Sequence, residues 1–410
     1  MGRSHEVSGS IPVLDRRGWL RWAALASAAT VLPLGCARRR EAVSDATPAD
    51  APLRFPGKVP MRALNDRAPL LETPWEYYRH DLTPNEAFFV RWHLELIPTT
   101  VDLRSWRLKV GGHVERPLEL SLDELRRMEP GTVVAVNQCS GNSRSQFSPR
   151  VPGGQWYNGA MGNARWTGVR LRDLLLRAGL KAKALQVSFQ GLDEGPLPTT
   201  PDFVKALDVS HTLTPDVLVA YEMNGAALPM INGFPVRLIV PGWYGTYWIK
   251  SLTTITVLPH PFTGFWMAKA YHIPNTPNGN ETPEALAVNT VPINRMNIRS
   301  FIVRPEAGEH LPARRPAELN GIAFDGGNGI RRVEVSPDGG STWADARLGP
   351  DLGRYSFRRW RLEWTPPGPG AYTLAVRATS NSAETQPMTP GWNRSGFMRN
   401  VIERLDVTVG

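Results

Sequence analysis

The 410-residue chain has very few cysteines, only Cys36 and Cys139. So few thiols exclude a disulfide-stapled scaffold, and they exclude a zinc or iron–sulfur site built from several cysteine ligands. The chain contains no Cys-x-x-Cys-His motif, so we expect no covalently attached haem. Its stability must come from hydrophobic burial, and a chain of this length can hold two or more domains.

The N-terminus carries an apolar run, Ala23 to Leu34, that is too short to span a bilayer. Arg16 and Arg17 precede it, and this arrangement is typical of twin-arginine export, which carries folded proteins. The following "LPLGC" is similar to a lipoprotein cleavage box ending at Cys36, and an ordinary peptidase cut nearby is the alternative. We therefore assign residues 1–36 to an export signal and expect a periplasmic or extracytoplasmic protein, attached to a membrane only if Cys36 is lipidated.

The formal net charge of +9 raises the question of an anionic partner. The arginines are scattered and no nucleic-acid recognition motif occurs, which argues against nucleic-acid binding. We expect instead an anionic small substrate or an acidic protein partner. The fourteen tryptophans fit core packing, although this residue type also lines deep pockets.

Composition divides the rest of the chain into three parts. Residues 37–60 are rich in Pro and Ala without periodicity, which predicts a linker. Residues 61–285 alternate short strands with a few helices, which predicts an α+β domain. The predicted strands are "WRLKVGG" at 106–112, "TVVAVNQC" at 132–139 and "FPVRLIVPG" at 234–242; the predicted helices are "SLDELRRM" at 121–128, with a capping box from Ser121 to Glu124, and "RLRDLLLRAG" at 170–179.

Residues 286–410 have a different pattern, with alternating strands and turns rich in Pro and Gly. "GIRRVEVSPDGGSTWADARL" alternates around an Asp-Gly-Gly turn, which predicts a hairpin, and "RRWRLEWTP" and "AYTLAVRATS" alternate likewise. The predicted fold is therefore a mixed α+β domain followed by an all-β immunoglobulin-like sandwich domain.

Cys139 lies in "NQCSGNSR", where an apolar strand gives way to polar residues. The simplest interpretation is a buried free thiol that packs as a small hydrophobe. Against it, Gly141 lets the backbone approach a ligand closely, and Arg144 would favour a thiolate or bind an anion. A thiolate suits a soft or highly oxidised metal, but one protein ligand does not make a metal site. The metal would have to arrive already held by an organic chelator.

These residues carry a family resemblance. "NQCSGNSR", followed by "GAMGNARWTGVRLRDLL", resembles the sulfite oxidase family of molybdenum-cofactor enzymes. The resemblance covers roughly residues 60–410, and it includes "FFVRWH" at 88–93, "GLDEG" at 191–195 and "AYEMNGAALPMINGFPVRLIVPGWYGTYWIK" at 220–250. It implies a sulfite-oxidase-type molybdopterin domain, in which one cysteine completes the coordination of a molybdenum held by a pterin dithiolene.

The resemblance also implies a set of site residues. Cys139 would be the molybdenum ligand. The cofactor-binding residues would be Phe89, Arg91, His93, Cys139, Asp193, Asn232, Arg237 and Lys250. Cationic side chains suit the pterin phosphate on electrostatic grounds. Asn232 departs from the family, because eukaryotic relatives have a histidine just before "GFPVR".

For the substrate, the resemblance implies Arg91, Arg144 and Tyr271, the last in "KAYHIPN". A third substrate arginine near the C-terminus aligns with either Arg394 or Arg399 in "WNRSGFMRN", and we prefer Arg399.

The resulting expectation is an exported sulfite dehydrogenase that passes electrons to a separate c-type cytochrome, because no haem or flavin module is recognisable in the chain. Residues 286–410 resemble the family's dimerisation module, which implies a homodimer. Three alternatives stay open: the molybdenum subunit of a sulfane dehydrogenase acting on protein-bound sulfur, a methionine-sulfoxide-type reductase of the same superfamily, and a metal-free binding protein with this fold.

Overall fold

The structure, a computed structural model, describes residues 55–410. The predicted export signal at 1–36 and most of the predicted linker at 37–60 lie outside the described residues. The last part of that linker, residues 55–60, lies against the body of the protein. Phe55 and Val59 pack on a small cluster of buried side chains that includes Leu71 and Trp92.

The first part of the described chain holds fifteen short strands and four helices, and the predicted α+β character is confirmed. In chain order they are β1 (Arg62–Asn65), β2 (Leu70–Glu72), β3 (Val90–Arg91), β4 (Leu108–Gly112), β5 (Leu118–Leu120), α1 (Leu122–Arg126), β6 (Pro130–Gln138), β7 (Met161–Arg170), α2 (Leu171–Ala178), β8 (Gln186–Gln190), β9 (Val204–Asp208), α3 (Val209–Thr212), β10 (Leu218–Met223), β11 (Ala226–Ala227), β12 (Arg237–Ile239), β13 (Thr254–Leu258), α4 (Phe265–Ala268), β14 (His272–Pro274) and β15 (Thr290–Pro292). Single turns of 3-10 helix lie at Trp75–Arg79, Arg144–Gln146, Met230–Asn232, Gly245–Tyr247 and Pro277–Gly279.

Local sequence explains the two predicted helices. The capping box is present: the Ser121 hydroxyl accepts a hydrogen bond from the Glu124 amide, and the Glu124 carboxylate accepts one from the Ser121 amide. In α2 the buried residues are Leu171, Leu174, Leu175 and Ala178, which form one face of a helix. The third predicted strand is shorter than expected, because prolines flank β12 on both sides and cannot donate to a ladder.

Sheet pairing positions the polar segment that contains Cys139. One sheet has the order β11-β10-β7-β6, with β12 also on β10, and another has the order β5-β4-β13-β8-β9. β6 and β7 pair antiparallel up to Gln138, which lies opposite Met161. The ladder therefore ends at the residue before Cys139, and the chain leaves the sheet there as a turn.

The rest of the chain forms a β-sandwich, as predicted. Its strands are β16 (Arg299–Arg304), β17 (His310–Leu311), β18 (Ala317–Phe324), β19 (Ile330–Ser336), β20 (Ala344–Asp345), β21 (Arg347–Leu348), β22 (Arg358–Trp364), β23 (Gly370–Ser380) and β24 (Glu403–Val409). The two sheets have the orders β16-β18-β22-β21 and β17-β24-β23-β19-β20. The predicted hairpin joins β19 to β20, and its turn contains Gly339 and Gly340 at positive φ.

The sandwich and the α+β domain share one hydrophobic core. The largest buried cluster extends from Tyr78 in the first part to Phe301, Phe324 and Phe357 in the sandwich. A second cluster, which includes Val333 and Leu374, fills the sandwich itself. Within residues 55–410, no helix is long and apolar enough to cross a membrane.

Candidate functional site

Cys139 begins the turn that follows β6, and only 8% of its surface is exposed. Its amide donates to the Ala160 carbonyl (2.9 Å), while its carbonyl accepts from the Asn142 amide (3.0 Å). It is a free thiol. No group of three His, Cys, Asp or Glu side chains between residues 55 and 410 is placed to hold a metal ion. A metal at Cys139 therefore needs further ligands from another molecule.

Cys139 lines a cavity, which we call the inner cavity. Most of the predicted cofactor residues lie on its wall. The lining residues are Phe89, Val90, Arg91, His93, Asn137, Cys139, Ser140, Ile231, Asn232, Arg237, Gly245, Thr246, Lys250 and Tyr271. Asp193 does not line the inner cavity, although it is buried.

The charge of the inner cavity is positive, because the described part of the chain contributes Arg91, Arg237 and Lys250 to its wall but no Asp or Glu. Burial lowers the pKa of Arg237 to about 9. Burial, followed by the charge of Arg237, also holds the pKa of Lys250 well below its usual value, and Asp193 opposes this shift. Buried cations without a matching number of anions are costly. An anionic ligand in the cavity would compensate them.

Unpartnered polar atoms on the wall point to the same conclusion. Both polar atoms of the Asn137 amide, the Ser140 hydroxyl and the Arg237 Nε are buried and have no hydrogen-bond partner among residues 55–410. Gly245 lies against the Asn137 side chain so closely that a Cβ there would overlap it. An anionic, oxygen- and nitrogen-rich group would supply the missing partners. The molybdopterin implied by the sequence resemblance fits this donor set, and its metal would meet a thiol at Cys139.

Asn232 is held at the end of the inner cavity by Lys58, a residue that the sequence interpretation did not assign to the site. Lys58 Nζ donates to Asn232 Oδ1 (2.7 Å) and to the carbonyls of Asn85 (2.7 Å) and Phe88 (2.9 Å). Asn232 Nδ2 in turn donates to the Phe89 carbonyl (3.3 Å). Burial lowers the pKa of Lys58 to about 7. Both the oxygen and the nitrogen of the Asn232 amide are therefore hydrogen-bonded, which fixes its orientation.

Tyr271 lies where Arg91 and His93 meet. Arg91 donates from NH2 to the Tyr271 hydroxyl (3.1 Å), and His93 Nε2 is also hydrogen-bonded to that hydroxyl. Burial, reinforced by the charges of Arg91, Lys250 and Lys205, keeps the pKa of His93 well below its usual value, so the imidazole is neutral at neutral pH. Burial likewise raises the pKa of Tyr271, so its phenol keeps its proton.

The backbone of Tyr271 has φ +58, a left-handed conformation that costs a non-glycine residue on the order of 1 kcal/mol or more. Such strain persists only where the surrounding structure imposes it. Tyr271 lines both the inner cavity and a larger outer one.

The outer cavity has a volume of about 580 Å³ and is also cationic. Its wall includes Arg144, Lys269, Tyr271, His272, Arg394 and Phe397. Arg144 donates to the carbonyls of Gly154 (3.3 Å) and Ser395 (3.1 Å), and its Nε has no partner within the part of the chain that the structure describes. Burial lowers the Arg144 pKa, while Cys139 and Tyr271 oppose the shift.

Phe397, from the segment that precedes the last strand, forms part of the wall of this cavity. Its ring stacks parallel to Tyr271 with centroids 5.4 Å apart, and the Arg144 guanidinium lies 4.9 Å from the ring centre. The next residue, Met398, donates its amide to the Ser140 carbonyl (2.8 Å). The C-terminal segment thus touches the turn that carries Cys139.

The two C-terminal arginines lie in different places. Arg394 lines the outer cavity, but its guanidinium forms an ion pair with Glu281 (2.6 Å). Arg399, the residue preferred from the sequence, lines neither cavity and lies 3.5 Å from Glu403. The structure therefore brings Arg91, Arg144 and Tyr271 together, and a substrate contact from Arg399 stays a prediction.

Sequence comparisons agree with this geometry. Residues 93–266 match the family described as oxidoreductase molybdopterin binding domain, and residues 290–410 match the Mo-co oxidoreductase dimerisation domain. Mitochondrial sulfite oxidase from Homo sapiens is 34% identical over 377 residues, covering 88% of this chain and 67% of that protein. Sulfite oxidase from Gallus gallus is 36% identical over 345 residues, covering 79% and 72%. A nitrate reductase [NADH] from Volvox carteri is 32% identical over 388 residues, covering 87% and 43%.

Among solved structures, the sulfane dehydrogenase SoxCD from Paracoccus pantotrophus matches with a TM-score of 0.72, at 24% identity. The match covers 91% of this chain and 93% of that chain. At this identity the likeness establishes a shared fold, which includes both the α+β domain and the sandwich.

Proposed function

Because the chain belongs to the sulfite oxidase family of molybdopterin-dependent oxidoreductases, we propose that it is an exported sulfite dehydrogenase. Sulfite and water would give sulfate, two protons and two electrons. The observation that carries the proposal is the meeting of Cys139, Arg91 and Tyr271 on one cationic wall that has no carboxylate.

The inner cavity would hold the cofactor through residues already described. Cys139 would ligate the molybdenum, and Arg237 and Lys250 would pair with the pterin phosphate. Asn137 and Ser140 would hydrogen-bond to the group through their unpartnered atoms. When bound, the molybdenum cofactor supplies the transfer of an oxygen atom to sulfur and accepts two electrons.

The outer cavity would lead the substrate to this centre. Sulfite is a small, strongly hydrated anion, and guanidinium groups can replace its water with charge-assisted hydrogen bonds. Arg144 lies on the outer wall and Arg91 on the inner wall, while Tyr271 lies on both. The anion would therefore meet one arginine on entry and a second beside Cys139.

Tyr271 would donate a hydrogen bond to the substrate through its phenol hydroxyl. Since Arg91 donates to the phenol oxygen, the hydroxyl proton is free to point to His93 Nε2 or to a substrate oxygen. In the tautomer with an unprotonated Nε2, the neutral imidazole accepts a hydrogen bond from the phenol, and an arriving oxyanion would compete for that hydrogen bond. The phenol would thus hold the substrate oxygen without adding negative charge.

The electrons would leave one at a time to a soluble c-type cytochrome that binds near the outer cavity. The cationic wall there would attract an acidic docking surface. We also propose periplasmic localisation by twin-arginine export, and a homodimer formed through the sandwich domain, whose sequence matches the family's dimerisation domain.

One observation favours a second candidate. The outer cavity, at about 580 Å³, is larger than sulfite requires, so it would also admit a sulfur group carried by a larger molecule. A sulfane dehydrogenase acting on protein-bound sulfur is therefore the alternative.

The test is sulfite-dependent reduction of cytochrome c by the purified protein, with molybdenum measured in the same preparation. About one molybdenum per chain and turnover with sulfite would support the proposal. Turnover of protein-bound sulfane sulfur without sulfite turnover would favour the alternative, and a chain purified from molybdenum-replete cells without the metal would favour a binding protein.

A further inference from the structure

Lys205 is a buried cation that the proposed reaction does not yet use. It lies on β9 with 1% of its surface exposed, and its Nζ donates to the Trp266 carbonyl (2.6 Å) on α4. Among residues 55–410 no Asp or Glu oxygen lies within 4.0 Å of it. An ammonium group in such a place costs free energy, so packing alone does not account for a lysine here.

Two tyrosine rings face this ammonium group. Nζ lies 4.7 Å from the centre of the Tyr247 ring and 5.1 Å from the centre of the Tyr271 ring, both within the range of a cation–aromatic contact. Lys205 also acts on His93, whose pKa its charge helps to lower. Burial lowers the pKa of Lys205 itself to about 7.

We propose that Lys205 is a positioning residue for Tyr271: its ammonium group fixes the ring and strengthens the hydroxyl as a hydrogen-bond donor to the substrate. A positive charge at the face of a phenol draws electron density away from the oxygen, so the O–H bond becomes more polar. This inference rests on the proposed sulfite oxidation. Lys205 lines neither the inner nor the outer cavity, so it acts on the substrate indirectly, through Tyr271 and the His93 ring that is hydrogen-bonded to it.

The first arm of the test needs no turnover. It compares the melting temperatures of the molybdenum-loaded parent, Lys205→Met and the exposed control Lys109→Met. The pKa of Lys205 is about 7 in the folded chain and about 10 in the unfolded chain, so the buried ammonium group destabilises the fold below pH 7. Between pH 7 and pH 10 the unfolded chain binds more protons than the folded one, so this destabilisation decreases as pH rises. Lys205→Met should therefore melt at least about 2 °C above the parent at pH 6.5, and this advantage should shrink by pH 9.5. A pH-independent difference would show that no uncompensated charge is buried there.

The second arm measures kcat/KM for sulfite over the same pH range, taken as the ratio of variant to parent so that ionisation of sulfite cancels. At pH 6.5, Lys205→Met should lose about three- to thirty-fold, the range of cation–aromatic contacts. At pH 9.5 the lysine of the parent is neutral too, so the difference in kcat/KM between Lys205→Met and the parent should become smaller. Lys205→Arg, which keeps its charge, should retain its kcat/KM at pH 9.5. Lys205→Gln serves as a second neutral variant if Met does not fold, and Lys109→Met should match the parent throughout.

The outcomes separate this inference from the proposed function. A loaded parent without sulfite turnover would refute the function and, with it, the role of Lys205. An active parent matched by Lys205→Met at every pH would refute the role of Lys205 alone.

Discussion

Replacing Arg144 by glutamine tests the substrate path most directly. The change removes the charge but keeps a polar side chain, and the shorter glutamine fits because Gly141 and Gly153 border the guanidinium without side chains of their own. Removing the guanidinium also removes its hydrogen bonds to Gly154 and Ser395 and its packing on the Phe397 ring. The fold should survive, because the two hydrogen-bond partners are carbonyls at the edge of a cavity that solvent can reach.

The expected magnitude follows from the hydrogen bond that the guanidinium would donate to the substrate anion. A hydrogen bond to a charged group contributes about 1.5–3 kcal/mol, so kcat/KM for sulfite should fall about 10- to 100-fold. Because anion binding precedes the chemistry, most of the decrease should appear as a higher KM. Poor placement of the bound anion would add a decrease in kcat.

The assay is steady-state reduction of cytochrome c, with molybdenum measured in each preparation. Arg150→Gln is the matched control, since Arg150 lies in the same loop but is exposed and bonds only to Gln155 (3.2 Å). It should keep the parent's kcat/KM. If Arg144→Gln were fully loaded with molybdenum and equally active, Arg144 would not bind the substrate, and the sulfane-sulfur alternative would gain support.

Four further predictions concern other parts of the molecule. Cys139→Ser should keep the parent's circular dichroism spectrum but lose turnover, because a hydroxyl is a harder ligand than a thiolate; near-parental sulfite oxidation would exclude Cys139 as the ligand. Lys58→Met should bind less molybdenum cofactor per chain, because it frees the Asn232 amide, and an unchanged metal content would remove Lys58 from the site. Turnover with cytochrome c should slow with added salt more than turnover with a small uncharged acceptor, because screening acts within about 10 Å; equal responses would argue against a docked protein. The hydrogen bond from Arg394 lowers the pKa of Glu281 to about 2. The ion pair therefore stabilises the folded protein above about pH 4.5, and this stabilisation is lost as pH falls toward 2. Glu281→Gln should therefore lower the free energy of unfolding by about 1–2 kcal/mol at pH 6 and by less at pH 3, in urea titrations; a larger effect at pH 3 would contradict the pairing.

Local patterns were enough to predict the elements around the site. The strand that ends at Cys139 and the capping box of α1 both follow from rules that act within a few residues. Arg91, His93 and Tyr271 could be grouped only because the resemblance joins segments that are 180 residues apart.

The remaining parts of the site depend on contacts that no local pattern encodes. Lys58 lies in a stretch whose composition indicates a linker, and its partner Asn232 is 174 residues away. Phe397 and Lys205 are single residues in ordinary strand or turn sequences, and only the folded chain places them on Tyr271. The choice between Arg394 and Arg399 depends on such contacts too. Spacing in the sequence does not show that Arg394 forms an ion pair with Glu281 or that Arg399 lies beside Glu403.

Because the C-terminal segment contacts the Cys139 turn, one part of the site is synthesised long after the rest. A ribosome adds 251 residues between Arg144 and Ser395, which takes about 10–50 s at ordinary rates of elongation. Every residue that lines the inner cavity lies at or before Tyr271, whereas Phe397 completes the outer one. On the growing chain, every residue that lines the inner cavity is therefore synthesised before the segment that supplies the last wall of the outer cavity.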